Sequence, residues 1–265
     1  MDNFRKYGNK PYKIAVIHGG PGAPGEMAPV ARELSSIGGV LEPLQTATSL
    51  EGQVLELKAV LEKEGEPPVT LIGFSWGAML SFILAARHPS LVRKLILVGS
   101  GPYEESYATG ITKTRLSRLS AEQREEVLHL TETLDDPATE DKNPSFARLG
   151  ELISVVDSYD SLPYDSEMLE CRYDVYQGVW GQASKLRSSG QLLELGRHIQ
   201  SPVVAIHGDY DPHPADGVKD PLSRILKNFQ FILLEKCGHR PWIEQSAMEA
   251  FFSILKKECS LEGLR

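Results

Sequence analysis

Two hydrophobic periodicities alternate along this chain. Short β-branched and aliphatic runs, namely Ile14–Ile17, Val40–Leu44, Val69–Phe74, Leu95–Val98, Val203–His207 and Phe229–Leu234, read as strands. Val69–Phe74 is apolar in the way a central strand covered on both faces should be. Between the strands, apolar residues recur every three or four positions. Such segments run over about Glu26–Ile37, stopped by Gly38-Gly39, and over Ala78–His88, stopped by Pro89. Another places Val54, Leu57 and Leu61 on one face, with Thr48 and Glu51 as a capping-box pair at its head. A closing helix near Ile243–Lys257 carries Ala247, Phe251, Ile254 and Leu255 at helical spacing. Strand and helix in alternation predict an α/β fold, a mostly parallel sheet of about six strands with helices on both faces.

The strand rhythm stops after Gly99-Ser100-Gly101-Pro102 and resumes only at Pro202. Segment 103–198 is helical and polar in pattern. Ser120 and Gln123 form a capping box for a helix bearing Val127, Leu130 and Leu134, and Asn143-Pro144 opens another with Asn as cap. The expected organisation is a core of residues 1–102 and 199–265 interrupted by a helical cap, 103–198. Residues after Cys259 are expected to fray.

Composition excludes several classes. Lys and Arg number 28 against 36 Asp and Glu, a net charge of −8 without a basic run, which argues against a nucleic-acid partner. No apolar stretch is long enough for a signal-peptide core or a bilayer span, so a soluble, cytoplasmic protein with no membrane partner is expected. The three cysteines are odd in number and lack C-x-x-C spacing, which fits neither a disulfide nor a zinc framework. A Rossmann G-x-G-x-x-G is not met at Gly19-Gly20-Pro21-Gly22, and no cofactor is expected.

The candidate chemistry lies in loops that follow strands. Gly73-Phe74-Ser75-Trp76-Gly77 matches G-x-S-x-G between an apolar strand and a helix, a context in which the chain must reverse sharply and present Ser75 at the apex. The plain alternative is a serine that merely caps the helix. A serine hydroxyl needs a base, and His239, in the turn Cys237-Gly238-His239-Arg240-Pro241 after the last strand, sits at the same sheet edge. His88, His129 and His198 read as helix-terminal or surface residues. The base needs an acid, and His207-Gly208-Asp209-Tyr210-Asp211 offers two; Asp211 is chosen because it reaches beyond the strand end, with Asp209 as the fallback. Cys237 is a rival nucleophile by position but reads more simply as a small apolar filler. His207, Asp209, Asp211 and His213 alternate as metal ligands on a strand would, yet Gly208 and Pro212 break such a strand; no metal is expected.

Together these residues resemble the α/β-hydrolase superfamily. The chain order Ser75, Asp211, His239 is the order of that superfamily's triad. The loops His18-Gly19-Gly20-Pro21-Gly22, GFSWG, HGDYD and Cys237-Gly238-His239 look like its four landmark loops, spread over both core segments. The resemblance implies a serine hydrolase forming an acyl-enzyme, with the backbone amides of Gly20 and Trp76 as oxyanion hole. The superfamily's opening hairpin is expected to be absent or vestigial, since about a dozen residues precede the first strand. HGGPG followed by GxSWG is similar to the proline iminopeptidase branch, which holds a free amino group with acidic residues partly from the cap; Glu151, Glu167 and Glu170 are available, without a matching pattern. The expected partner is therefore a small ester or acyl compound, or alternatively a short peptide with N-terminal proline. A ligand-binding protein on a hydrolase fold is the third reading. Trp76, beside the nucleophile, is the leading candidate to line the substrate pocket; Met79, Trp180 and Trp242 serve equally well as core.

Overall fold

The structure is a computed structural model and describes residues 3–164 and 167–260. The expected fraying after Cys259 concerns 261–265, which lie outside the described residues. Seven strands pair among the described residues: β1 (Phe4–Tyr7), β2 (Tyr12–Ile17), β3 (Gly39–Pro43), β4 (Val69–Phe74), β5 (Val92–Val98), β6 (Val203–Gly208) and β7 (Phe229–Leu234), in the order β1-β3-β2-β4-β5-β6-β7. All neighbours run parallel except β1, which is antiparallel to β3 with Phe4 opposite Pro43 and Tyr7 opposite Val40. The count exceeds the expected six by this edge strand. Its sequence, FRKY, is four residues long and mostly polar, because an edge strand with one exposed face has no need of an apolar run.

Eleven α-helices occur among the described residues. α1 (Ala28–Leu34), α2 (Leu50–Glu64) and α3 (Trp76–Arg87) follow β2, β3 and β4. Between β5 and β6 come α4 (Glu105–Ala108), α5 (Ile111–Arg118), α6 (Ala121–Asp135), α7 (Asn143–Val156), α8 (Tyr173–Ser188) and α9 (Gln191–Leu195); α10 (Asp216–Ile225) and α11 (Met248–Cys259) complete the chain. α11 starts at Met248 rather than near Ile243, and two helix caps differ from expectation. Ser49, not Thr48, caps α2 by accepting from Gly52 N, because its extended backbone aims the hydroxyl at the open amide. Asn143 is already inside α7, and its side chain instead accepts from the Tyr173 amide. Ser120 and Gln123 do form a reciprocal capping box.

Alternation along the strands feeds two apolar layers. Ala15, Ile17, Leu71, Leu95 and Leu97 pack under α2 and α3, while Ile14, Val16, Ile72, Phe74 and Ile96 pack under α1 and α11. With both faces covered, β4 is buried at all six positions. A third, separate cluster of Leu119, Val127, Leu152 and Val156 joins the region of α6 and α7. α8 belongs elsewhere: Val175, Val179 and Ala183 are buried in the layer of α2 and α3. Among the described residues no helix is long and apolar enough to cross a membrane.

Candidate active site

β4 ends at the sheet's carboxyl edge, and the chain turns there without a linker. Ser75 takes φ 51 and ψ −113, a backbone that L-residues avoid, and α3 starts at the next residue. The two glycines of the motif make this turn possible. A Cβ on Gly73 would lie 2.2 Å from Gly77 O, and one on Gly77 would lie 2.4 Å from Ile17 O. The second contact also presses the start of α3 against the end of β2, bringing Trp76 and the glycine loop 18–22 into one neighbourhood. The Ser75 amide donates to Val98 O at 2.9 Å, tying the apex to β5.

The loops after β6 and β7 meet beside this apex. His239 Nδ1 donates to Asp211 Oδ2 at 2.7 Å, which leaves Nε2 as the ring's basic nitrogen. The Phe74 ring lies 4.8 Å from the His239 ring, centroid to centroid. Among the described residues no hydrogen bond joins the Ser75 hydroxyl to the imidazole. Asp209, the fallback acid, points elsewhere and accepts from Cys237 N at 3.1 Å. Asp211 is buried, which would raise its pKa, but His239, His213 and His207 around it outweigh burial and hold the carboxyl well below its usual range. His239 follows the same logic in reverse. Burial opposes its protonation, and the charge and hydrogen bond of Asp211 overcome that, raising its pKa.

Three contributors were not legible as site residues. His213 donates through both its amide and its Nδ1 to Asp211 Oδ1, at 2.9 and 2.8 Å, and burial depresses its pKa to about 4. Its signal in the sequence is the spacing two residues beyond Asp211, which on its own reads as part of a metal pattern. Glu244 is fully buried and accepts from the amides of Tyr159, Asp160 and Gly238, fastening segment 159–160 to the histidine loop. His239 N donates to Asp157 O at 2.8 Å in the same joint. Glu26 lies beneath the glycine loop, where a Cβ on Gly19 would meet its Oε2 at 2.8 Å, and burial raises its pKa.

Gly20 has φ +38 and opens a turn in which Ala23 N donates to its carbonyl at 3.0 Å. His18, ahead of it, is buried. It accepts from Gln45 N on Nε2 and donates from Nδ1 to Gly19 O at 2.8 Å, and burial lowers its pKa to about 4. The loop is also held from the far side, since Arg172 N donates to Gly22 O and Leu169 N to Pro24 O, both at 2.8 Å.

Asp211, His213 and His239 each offer a ligand-type atom within 4.8 Å of the others. In the geometry seen, both Nδ1 atoms are engaged with the carboxylate as hydrogen bonds. Asp209 is not part of this group and accepts from Cys237 N instead. The Cys237 thiol is buried and burial pushes its pKa up, away from a thiolate.

A cavity of about 300 Å³ opens over Ser75. Trp76, Met79 and Trp180 line it, as do Arg115, Arg187 and His213. Trp76 also donates from Nε1 to Gln53 Oε1 at 2.9 Å. Trp242 does not line it: the indole packs edge-on against Phe74 in the layer of α11. The acidic residues Glu151, Glu167 and Glu170 are not among those that line the cavity. Glu151 pairs with Arg148, Glu167 pairs with Arg32, and Glu170 is exposed.

Comparison with known proteins agrees with this architecture. The sequence family described as alpha/beta hydrolase fold matches residues 49–245. The chain belongs to the α/β-hydrolase family and is a hydrolase. It is 24% identical over 229 residues to a pimeloyl-[acyl-carrier protein] methyl ester esterase of Neisseria meningitidis serogroup B, covering 82% of this chain and 75% of the relative. Among solved structures, VinJ superposes with a TM-score of 0.67 at 18% identity, covering 97% of this chain and 93% of that one. A proline iminopeptidase of Mycobacterium smegmatis gives 0.61 at 17% identity, with the same two coverages. The thioesterase domain from the curacin biosynthetic pathway gives 0.62 at 19%, covering 96% and 94%. At these identities the structural likeness speaks for the fold alone.

Proposed function

We propose that the protein is a serine esterase acting on a small ester or related acyl compound, with Ser75 as nucleophile, His239 as base and Asp211 as the acid that orients it. Ser75 Oγ attacks the carbonyl carbon while its proton passes to His239 Nε2. The tetrahedral oxyanion is met by the amides of Gly20 and Trp76, where losing one donor typically costs ~3–4 kcal/mol of barrier. His239 returns the proton to the leaving group, and the bond to it breaks. Water then attacks the acyl-Ser75 with the same base, releasing acid and free enzyme. The segment 103–198 acts as the lid that supplies the far wall of the substrate cavity.

The observation that carries this reading is the 2.7 Å His239–Asp211 pair at the sheet edge where Ser75 stands in a strained turn. A relative named as a methyl ester esterase favours ester over amide cleavage. The aminopeptidase reading asks for an acidic anchor, and among the described residues none that lines the cavity is a carboxylate. A panel of acyl esters and aminoacyl amides, run on native protein and Ser75→Ala, tests the proposal. Ester turnover that falls at least about a thousandfold in Ser75→Ala supports it. Cleavage of prolyl-aminocoumarin without ester turnover would replace it with the aminopeptidase. Thermal stabilisation by an ester that is never turned over would replace it with a binding protein.

A further inference from the structure

The cavity over Ser75 has a one-sided charge. Among the described residues its lining includes two guanidinium groups, Arg115 and Arg187, and no carboxylate. They come from two different helices. Ile111, Thr112 and Arg115 occupy successive turns of α5; Tyr176, Trp180 and Arg187 share a face of α8. The Tyr176 and Trp180 rings are nearly parallel, 14° between planes and 6.1 Å between centroids, which stiffens that wall. Since α8 is buried in the main core, Arg187 is presented from a fixed element.

Each arginine already has an acidic partner, but the partners are unequal. Asp157 is buried and takes Arg115 through Nε at 2.9 Å and Nη2 at 2.5 Å. Glu105 Oε2 accepts from Arg187 Nε at 2.9 Å, yet the Glu105 side chain is 46% exposed while that of Arg187 is 9% exposed. A carboxylate screened by water neutralises a buried cation poorly. The remaining contact of Arg187, Nη2 to Ser184 Oγ, is long at 3.5 Å. In both guanidinium groups Nη1 has no acceptor among the described residues. A buried, half-satisfied guanidinium in the same cavity as Ser75 suits an oxyanion arriving with the substrate.

We propose that the substrate cleaved at Ser75 carries its own oxyanion, a carboxylate or a phosphate, received by Arg187 with Arg115. The apolar wall of Met79, Ile111 and Trp180 holds the carbon chain between that anion and the scissile carbonyl. The inference rests on the serine-hydrolase reading and names its substrate class. The two sources of the anion are the free carboxylate of a dicarboxylic monoester and the phosphate of a phosphorylated leaving group.

The test compares kcat/KM within two matched pairs. One pair sets the mono-p-nitrophenyl ester of adipic acid against p-nitrophenyl hexanoate. The other sets an acyl thioester of phosphopantetheine against the same thioester of pantetheine. The native enzyme should prefer the charged member of at least one pair by about tenfold or more, and the pair showing it identifies the anion. Arg187→Gln should lower that ratio by about tenfold, and Arg187→Lys should restore part of it. Glu105→Gln, which keeps an acceptor but removes the competing charge, should raise it; a merely structural ion pair would not move the ratio in that direction. Should Arg187→Gln fail to fold, Glu105→Gln and a native preference that declines between low and high salt decide the matter. Ratios near one in both pairs, or a ratio indifferent to Arg187 and Glu105, overturn the inference. If Ser75 also resists a fluorophosphonate, the hydrolase reading itself has failed and this inference falls with it. If Ser75 labels while the ratios stay near one, only the anionic substrate class is wrong.

Discussion

His213 lies over His239 with ring centroids 4.6 Å apart, and both rings donate through Nδ1 to Asp211, one to each carboxylate oxygen. One buried acid therefore serves two imidazoles. They cannot both charge cheaply at this separation, because like charges in a buried site disfavour each other. Burial keeps His213 neutral down to about pH 4, whereas Asp211 raises His239 above its ordinary value. Of the two rings, His239 is the one that takes up a proton more readily than an ordinary imidazole.

The acid limb of kcat/KM should accordingly have an apparent pKa above 6.5 and belong to His239. The limb should persist in His213→Asn. In Asp211→Asn it should move down, with kcat reduced by about a thousandfold or more, since the tautomer and the imidazolium lose their partner. A pH–rate profile of the three proteins checks this; a limb abolished by His213→Asn would assign the base to the other ring.

Stability should fall on acidification for a separate reason. His18 and His213 have pKa values of about 4 when folded and about 6.5 when unfolded. Between those values the unfolded chain binds the extra protons, so unfolding becomes easier as pH falls, by about 1.4 kcal/mol per pH unit for each histidine. His239 acts in the opposite sense: its contribution is present below pH 6.5 and fades as pH rises through its raised folded value. Urea titrations at pH 6.5, 5.5 and 4.5 should show the net decline, and His18→Asn should flatten it. A slope unaltered by His18→Asn would remove His18 from the account.

The fold was largely legible, because burial on both faces writes β4 as an apolar run and the turn after it as G-x-S-x-G. Loops that leave strand ends inherit their position from the sheet, so Ser75, Asp211 and His239 could be assigned to one edge before any contact was known. β1 escaped because a short edge strand carries polar residues. Arg115, Arg187 and Glu244 escaped for another reason. Their roles depend on how helices between β5 and β6 fold back over the sheet, and helical spacing alone gives the face of Arg187 but not what that face meets. His213 was visible by spacing yet ambiguous, since two histidines near an acid read equally as hydrogen-bond partners or as ligands.

Backbone crowding at the elbow gives a sharp mutational contrast. Gly73→Ala would drive a methyl to 2.2 Å from Gly77 O, whereas Gly150, within α7, has open space around its Cβ direction. Gly73→Ala should cost more than about 3 kcal/mol or prevent folding. Gly150→Ala should stabilise by up to about 1 kcal/mol, because alanine loses less backbone entropy in a helix. Denaturant midpoints of the two variants measure this, and a well-folded Gly73→Ala would show that the turn is less constrained than its geometry implies.

Metal removal should leave activity intact. The Nδ1 atoms of His213 and His239 are spent on Asp211, so the reaction scheme has no metal step. Dialysis against EDTA followed by ester assay, with and without added zinc, checks this; activity lost to EDTA and restored by zinc would turn the cluster of Asp211, His213 and His239 into a metal site.

The most direct measurement is intact-mass and peptide mapping after exposure to a fluorophosphonate. A hydroxyl activated by His239 should form one phosphonyl adduct, located on Ser75, absent from Ser75→Ala and strongly slowed in His239→Gln. A protein that stays unmodified, or one that carries the adduct on another residue, would contradict the assignment of Ser75 as nucleophile.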